Sequence, residues 1–234
     1  MSYPTLRLHP RKEESVLRFH PWIFSGAIAS FSAPVEDGDL VSVVDSKGRP
    51  LGTGHFGGGS IAVRLLSFDA EEVIDRAFYK RRLEAALRLR LSCDLVRPVG
   101  SSDSPNTTYR LVHGEGDSLP GLIIDIYDRT AVVQAHSLGM HQARQTIAEV
   151  LWEVFAEAGD PVLPLEGIYY KSETTLPTRD MRELASDGFL IGHTEAAPIY
   201  ENGVRFTPDW LKGQKTGFFI DQRDNRALVA HYAK

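Results

Sequence analysis

A single cysteine, Cys93, stands in a chain of 234 residues. One cysteine excludes an internal disulfide and any metal site built from several thiolates, and it fits a reducing compartment. A basic excess is also missing: 26 Lys and Arg stand against 31 Asp and Glu, for a net charge of −5. No global positive field draws in a polyanion, so a nucleic-acid partner has to be met by a local basic patch. No run approaches the roughly 20 apolar residues of a membrane span. The opening MSYPTLRLHPRKEES lacks the apolar core of a signal peptide. Internal repeats and low-complexity tracts are absent. The rest is ordinary: 42% hydrophobic and 24% charged, at a length for one large domain or two smaller ones. The expectation is a soluble cytoplasmic protein without metal.

Residues 3–68 read as short strands between turns. LRLHP, VLRFHPWIF, LVSVVD and IAVRLLSF are rich in branched and aromatic residues, and EDG, SKGRP and GGGS separate them. Such spacing points to a small all-β barrel. Residues 71–95 change period. Glu71 and Glu72 suit a helix N-terminus, and Ile74, Ala77, Phe78, Leu83, Leu87 and Leu91 form an apolar stripe. VRPVGSSDSPNTT, rich in Pro, Ser and Thr, then marks a boundary. Beyond it YRLVH, GLIIDIYD, TAVVQAH and GIYYKSE read as strands. Ser137 caps a predicted helix to about Ala158, and Asn202-Gly203 signals a hairpin. The fold class expected is α+β: barrel, connector helix, then a mixed α/β layer of strands, helix and strands.

Two stretches imitate functional motifs. Gly52 to Gly57 satisfies GxGxxG, but a dinucleotide fingerprint needs a helix after the glycines and a strand-like run follows here. A hairpin tip is the better reading. His113-Gly114-Glu115-Gly116-Asp117 gathers a histidine and two carboxylates, the groups of general acid–base work. The surrounding Gly-Asp-Ser-Leu-Pro-Gly is dense turn chemistry, and a turn is favoured.

Three others are candidates for binding. The predicted helix carries Arg76, Lys80, Arg81, Arg82, Arg88 and Arg90, the most basic stretch of an acidic chain. Such side chains neutralise phosphates, whereas a solvated face with internal ion pairs is the plainer explanation. HPWIF places Trp22 and Phe24 in the barrel, where aromatics either stack on unpaired bases or fill a core; the core is favoured. GQKTGFFIDQRDNR, Gly213 to Arg226, combines Lys215, Thr216, Phe218, Asp221, Gln222, Arg223 and Arg226 around two glycines. That set suits a nucleoside-like ligand as well as it suits a linker and a helix start.

HPWIFSGAI, GEGDSLPGLIIDIYD and GQKTGFFIDQRDNR, in this order and spacing, resemble a family of SAM-dependent 23S ribosomal RNA large-subunit methyltransferases whose members make 5-methylcytosine. The resemblance covers nearly the whole chain. It implies an N-terminal PUA domain from about Leu6 to Leu66, and a central α/β domain from about Tyr109 to Arg205. Residues 1–70, 71–108, 109–207 and 208–234 would then be PUA-like domain, connector helix and loop, central domain, and lead-in to a Rossmann-like catalytic domain. By this resemblance Lys215, Thr216, Phe218, Asp221 and Arg223 border the S-adenosylmethionine pocket of a complete enzyme, and 23S rRNA is the partner. Family members often carry Asn-Pro where this chain has Gly57-Gly58-Gly59, a departure at a contact loop. No strand and Gly-rich turn follow Arg226, and the motifs with the family's nucleophilic cysteine are missing. Cys93 lies in no such motif and reads as a small buried structural residue. The expectation is an RNA-recognising part that alone neither methylates nor binds S-adenosylmethionine tightly. The alternatives are a stand-alone RNA-binding or ribosome-assembly module, and an enzyme built on the His113–Asp117 cluster.

Overall fold

The computed structural model describes residues 3–101, 103–177 and 186–233. The first sheet holds β1 (Thr5–Leu8), β2 (Trp22–Phe24), β3 (Ile28–Phe31), β4 (Leu40–Val44), β5 (Pro50–Phe56) and β6 (Ile61–Ser67), in the order β2-β6-β5-β4-β1-β3. Only β1 and β4 pair in parallel. The outermost strands, β2 and β3, are joined by nothing more than the 3₁₀ turn Ser25–Ala27. Laid flat, six strands at ~4.8 Å spacing would hold them roughly 24 Å apart, while three 3₁₀ residues rise about 6 Å. The sheet has to curl, and Leu6, Leu8, Ile23, Val41, Val43, Val63 and Leu65 fill the interior.

The run VLRFHPWIF is not one strand. Glu14–Leu17 form a helical turn, α1, and Phe19 sits at a φ of 61°, with its N–H donating to the Val16 carbonyl. Within HPWIF the core residue is Ile23; Trp22 is half-buried and Phe24 is 52% exposed. Most of the GxGxxG stretch lies on β5, with no helix after it. A Cβ on Gly52 would come 2.3 Å from the Ser67 carbonyl oxygen, and one on Gly54 2.2 Å from that of Arg64. These glycines let β5 cross the β6 backbone; only Gly57 reaches the hairpin tip.

The second sheet contains β7 (Thr108–His113), β8 (Leu122–Tyr127), β9 (Thr130–Ala135), β10 (Gly167–Tyr170) and β11 (Gly188–Gly192), ordered β11-β10-β9-β8-β7, with β9 and β10 parallel. The short run GFLIG, bracketed by glycines, is a strand that sequence pattern did not single out. Helices α2 (Arg76–Ser92), α3 (Leu138–Gln142) and α4 (Arg144–Glu157) accompany it. Asp75, not Glu71 or Glu72, caps α2 by accepting the Phe78 N–H. Ser137 caps α3, and the single expected helix is two, meeting at Ala143.

Strand alternation divides the second sheet. Ile124, Ile126, Val133 and Ile168 point one way, into a core with Phe78, Leu83, Leu87, Ile147, Leu151 and Phe155. The expected connector helix α2 is thus part of this core, packed beside α4. Leu66 of β6 belongs to the same cluster, so barrel and second layer share apolar contacts. The other face, with Tyr127 and Val132, is covered by Ile199, Trp210 and Ile220. Among the described residues no helix is long and apolar enough to cross a membrane.

The His55 ring seals the contact between the two layers. It lies against Gly139, where a Cβ would sit 2.2 Å from its Cγ. Burial, then the nearby Arg64, lowers the His55 pKa from 6.5 to about 4. The folded protein therefore holds this imidazole neutral while the unfolded chain protonates it. Stability is intact above pH 6.5 and falls as pH drops toward 4, by about 3 kcal/mol from this group. Urea denaturation across that window should show a shallower loss in His55→Leu than in the native chain; equal slopes would refute the assignment.

Candidate functional site

The segment richest in polar groups folds onto the covered face of the second sheet. It is entered through the hairpin β12 (Ile199–Glu201) and β13 (Val204–Phe206), turned by Asn202 and Gly203 at φ 49° and 82°. That is the left-handed pair the Asn-Gly sequence predicts. Trp210 is buried against Tyr169 and Phe189. The Lys171 ammonium donates to the carbonyls of Trp210 (2.8 Å) and Gly213 (2.7 Å). Gly217, at φ 118°, leaves a Cβ no space: it would lie 2.4 Å from the Trp210 Cα. The glycines close the loop on itself.

At the centre lies Asp125 of β8, fully buried. Arg110 on β7 forks onto it, with Nε at 2.8 Å and Nη2 at 3.0 Å. The Thr216 hydroxyl donates its proton to Asp125 Oδ2 at 2.5 Å. Tyr127 must therefore donate to Thr216 Oγ1, at 2.8 Å. Further on, helix α5 (Arg223–Tyr232) begins. Arg226 forks onto the buried Glu201 at 2.7 and 2.6 Å and lies 4.4 Å from the Phe218 ring centre. Arg223 donates to the Thr108 carbonyl at 2.5 Å.

Of the five residues expected to border a cofactor, two remain at the surface. Lys215 and Asp221 are about half exposed and 3.5 Å apart, with the Lys215 ammonium 4.5 Å from the exposed Phe219 ring. Thr216 lies in the interior, with its hydroxyl engaged by Asp125 and Tyr127. Phe218 is packed on Phe206 under Arg226, and Arg223 faces inward. Lys215, Phe219 and Asp221 are thus among the side chains that this segment leaves open to a ligand.

The expected RNA-binding cations are also engaged. Arg76 meets Glu149 and Glu153, Lys80 meets Glu153 and Glu157, Arg81 and Arg82 meet Glu72, and Arg88 reaches Glu84 at 3.8 Å. Arg90 is not on the surface at all. It is 9% exposed, donates to the Arg110 carbonyl and forks onto Asp117. The basic stretch of α2 is a face of internal ion pairs.

Asp117 also accepts the His113 N–H, which closes the 3₁₀ turn Gly114–Asp117. The cluster is a turn that anchors α2, and Glu115 accepts the Trp22 indole N–H at 2.7 Å, tying it to the barrel. Among the described residues no group of three His, Cys, Asp or Glu could hold a metal. Cys93, expected to be buried, is exposed at the end of α2.

One feature had no motif to announce it. Between the β5–β6 hairpin and the start of α3 runs a cleft of about 310 Å³. Arg64 on β6 lines this cleft and also a neighbouring hollow beside Glu115 and His136. Burial lowers the Arg64 pKa, only partly offset by Glu115.

Residues 6–68 match the family model of a PUA-like domain. Nearly the whole chain matches a protein named ribosomal RNA large subunit methyltransferase I. The Shewanella amazonensis protein is 38% identical over 232 residues, covering 98% of this chain and 54% of its own length. The Alteromonas mediterranea protein is 36% identical over 231 residues, with 97% and 54% covered. The chain thus spans about half the length of the curated relatives it matches. A solved Streptococcus mutans protein, described as a SAM-dependent methyltransferase, superimposes with a TM-score of 0.74 at 20% identity over 98% of this chain and 54% of its own. A second, described as a methyltransferase complexed with SAH, gives 0.74 and 20%, with 98% and 53% covered. At that identity the likeness establishes the fold.

Thr216→Val keeps the shape and removes the hydroxyl, which should cost about 2 kcal/mol by urea denaturation. Glu201→Gln leaves Arg223 and Arg226 without their counter-charge and should cost about 2 kcal/mol as well. Stability unchanged in both variants would show that these contacts do not hold the segment.

Proposed function

We propose that this chain is the RNA-recognising part of a SAM-dependent methyltransferase of large-subunit ribosomal RNA. The observation that carries the reading is the 36–39% identity to proteins of that name across essentially all of the chain. The PUA-like match over residues 6–68 and the fold shared with two solved methyltransferases support it. The methyl donor is S-adenosylmethionine. From the segment after Trp210 its pocket draws on Lys215, Phe219 and Asp221, the groups that remain exposed.

The finer assignment is 5-methylcytosine in 23S rRNA. Cytosine C5 is a poor nucleophile, and its methylation calls for a thiolate that adds to C6 and a base that later removes the C5 proton. The one cysteine, Cys93, is an exposed residue at the end of α2, far in sequence from Lys215. We therefore assign recognition, not transfer, to these residues. A second reading, an RNA-binding module without catalysis, is favoured by one observation: the Thr216 hydroxyl is engaged inside the fold and Arg223 donates inward to the Thr108 carbonyl.

The test uses unmodified large-subunit rRNA and methyl-labelled S-adenosylmethionine. The chain is expected to retain the RNA, transfer no label and give no binding heat with millimolar S-adenosylmethionine. Label on cytosine would overturn the assignment to recognition alone. Failure to retain RNA would overturn the whole reading.

A further inference from the structure

The cleft beside Arg64 has three properties that the fold itself does not require. First, among the described residues the Arg64 guanidinium has no hydrogen-bond or ion-pair partner, although it is partly withdrawn from water. Its nearest offset is the charge of Glu115, which makes up only part of the cost of that partial burial. Second, the hairpin tip at the cleft mouth is Gly57-Gly58-Gly59, and none of the three has a positive φ. A Cβ on Gly57 or Gly59 would meet nothing within 4 Å. At these two positions neither backbone conformation nor crowding demands glycine, while a Cβ on Gly58 would come 3.1 Å from Asp37 Oδ1. Third, the lining is mixed in a particular way: Phe56, Ile61, Leu138 and Pro177 are apolar, Arg64 is cationic and Asp37 is anionic.

We propose that this cleft binds an unpaired nucleotide of the RNA strand, with Arg64 clamping its phosphodiester. The inference rests on the reading of the chain as an RNA-recognition unit. A guanidinium presents a fork of donors that suits a phosphate. The apolar wall takes a base face, and the Asp37 carboxylate accepts from a base amino group. A nucleotide carries an anion, a flat apolar face and amino donors together; a free phosphate has only the first. A cleft of about 310 Å³ admits one nucleotide and excludes a duplex. The bare glycine tip lets the sugar–phosphate backbone pass over the mouth. The cations of α2, by contrast, are engaged with carboxylates. Recognition in this cleft selects single-stranded RNA, whose bases can be splayed out and stacked.

The experiment is fluorescence anisotropy with a short labelled single-stranded oligoribonucleotide and with its blunt duplex. Four proteins are compared: native, Arg64→Gln, Gly59→Glu and the α2 control Arg88→Gln. The native chain should prefer the single strand. Arg64→Gln and Gly59→Glu should each weaken it about tenfold, and Arg64→Gln should reduce the salt slope by about one phosphate contact. Arg88→Gln should bind as the native chain does. Because Arg64 makes no hydrogen bond or ion pair among the described residues, Arg64→Gln should melt within a degree or two of the native chain, which separates lost binding from lost folding. A nucleoside monophosphate should compete better than inorganic phosphate at equal concentration. Native affinity in Arg64→Gln, equal affinity for the duplex, or equal competition by phosphate would each overturn the proposal while leaving RNA recognition standing. Absence of binding to either RNA would instead remove the reading on which it rests.

Discussion

A carboxylate with no exposure, in the second strand of a five-stranded sheet, sets the terms for the C-terminal third of this chain. Asp125 cannot stand ionised and alone in that position, because an uncompensated buried charge costs several kcal/mol. Arg110 supplies one fork from the adjacent strand; Thr216, ninety-one residues away, supplies the remaining donor. Once Thr216 is fixed there, Gly217 has to pass against Trp210, Phe218 is set beneath Arg226, and α5 starts where Arg226 meets Glu201. The residues that look most like a reaction rim hold one layer to another.

That explains what could and could not be read from the order of amino acids. Some local signals were faithful: Asn202-Gly203 made its hairpin, Ser137 capped a helix, and short branched runs such as LIIDIY became strands, whereas Glu71 and Glu72 yielded the cap of α2 to Asp75. Each depends on neighbours within a few positions. Dense polar groups were ambiguous because their partners lie far off in sequence. Asp117 finds Arg90, Thr216 finds Asp125, and Glu115 finds Trp22, and none of these pairings leaves a local mark. The glycines misled for a related reason. Gly52 and Gly54 are explained by the β6 backbone, which no motif pattern includes.

Arg64 is the opposite case. A lone arginine in a branched, apolar strand attracts no notice, and it is distinguished by its place in a cleft, partly buried and without a hydrogen bond or ion pair among the described residues. The same contrast runs through the electrostatics of the molecule. In an acidic chain most cations meet a carboxylate, so those on α2 add little to a field that would hold RNA indiscriminately. The Arg64 guanidinium, which makes no hydrogen bond or ion pair among the described residues, lines a cleft between two layers that share a core. Leu66 and His55 fix the geometry from the barrel side, and Gly139 from the other.

The curl of the first sheet has a consequence for how the barrel meets other molecules. Its two terminal strands are leashed by three residues and turned toward each other. A flat sheet would end in rows of unpaired amides and carbonyls, an invitation to strand addition and to aggregation. Here the short link draws those rows together, and the glycine tip of the β5–β6 hairpin offers exposed backbone beside them. A partner that docks on this domain meets side chains and loops in place of a long open strand edge, so its choice is written in residue identity and can be altered without disturbing the barrel.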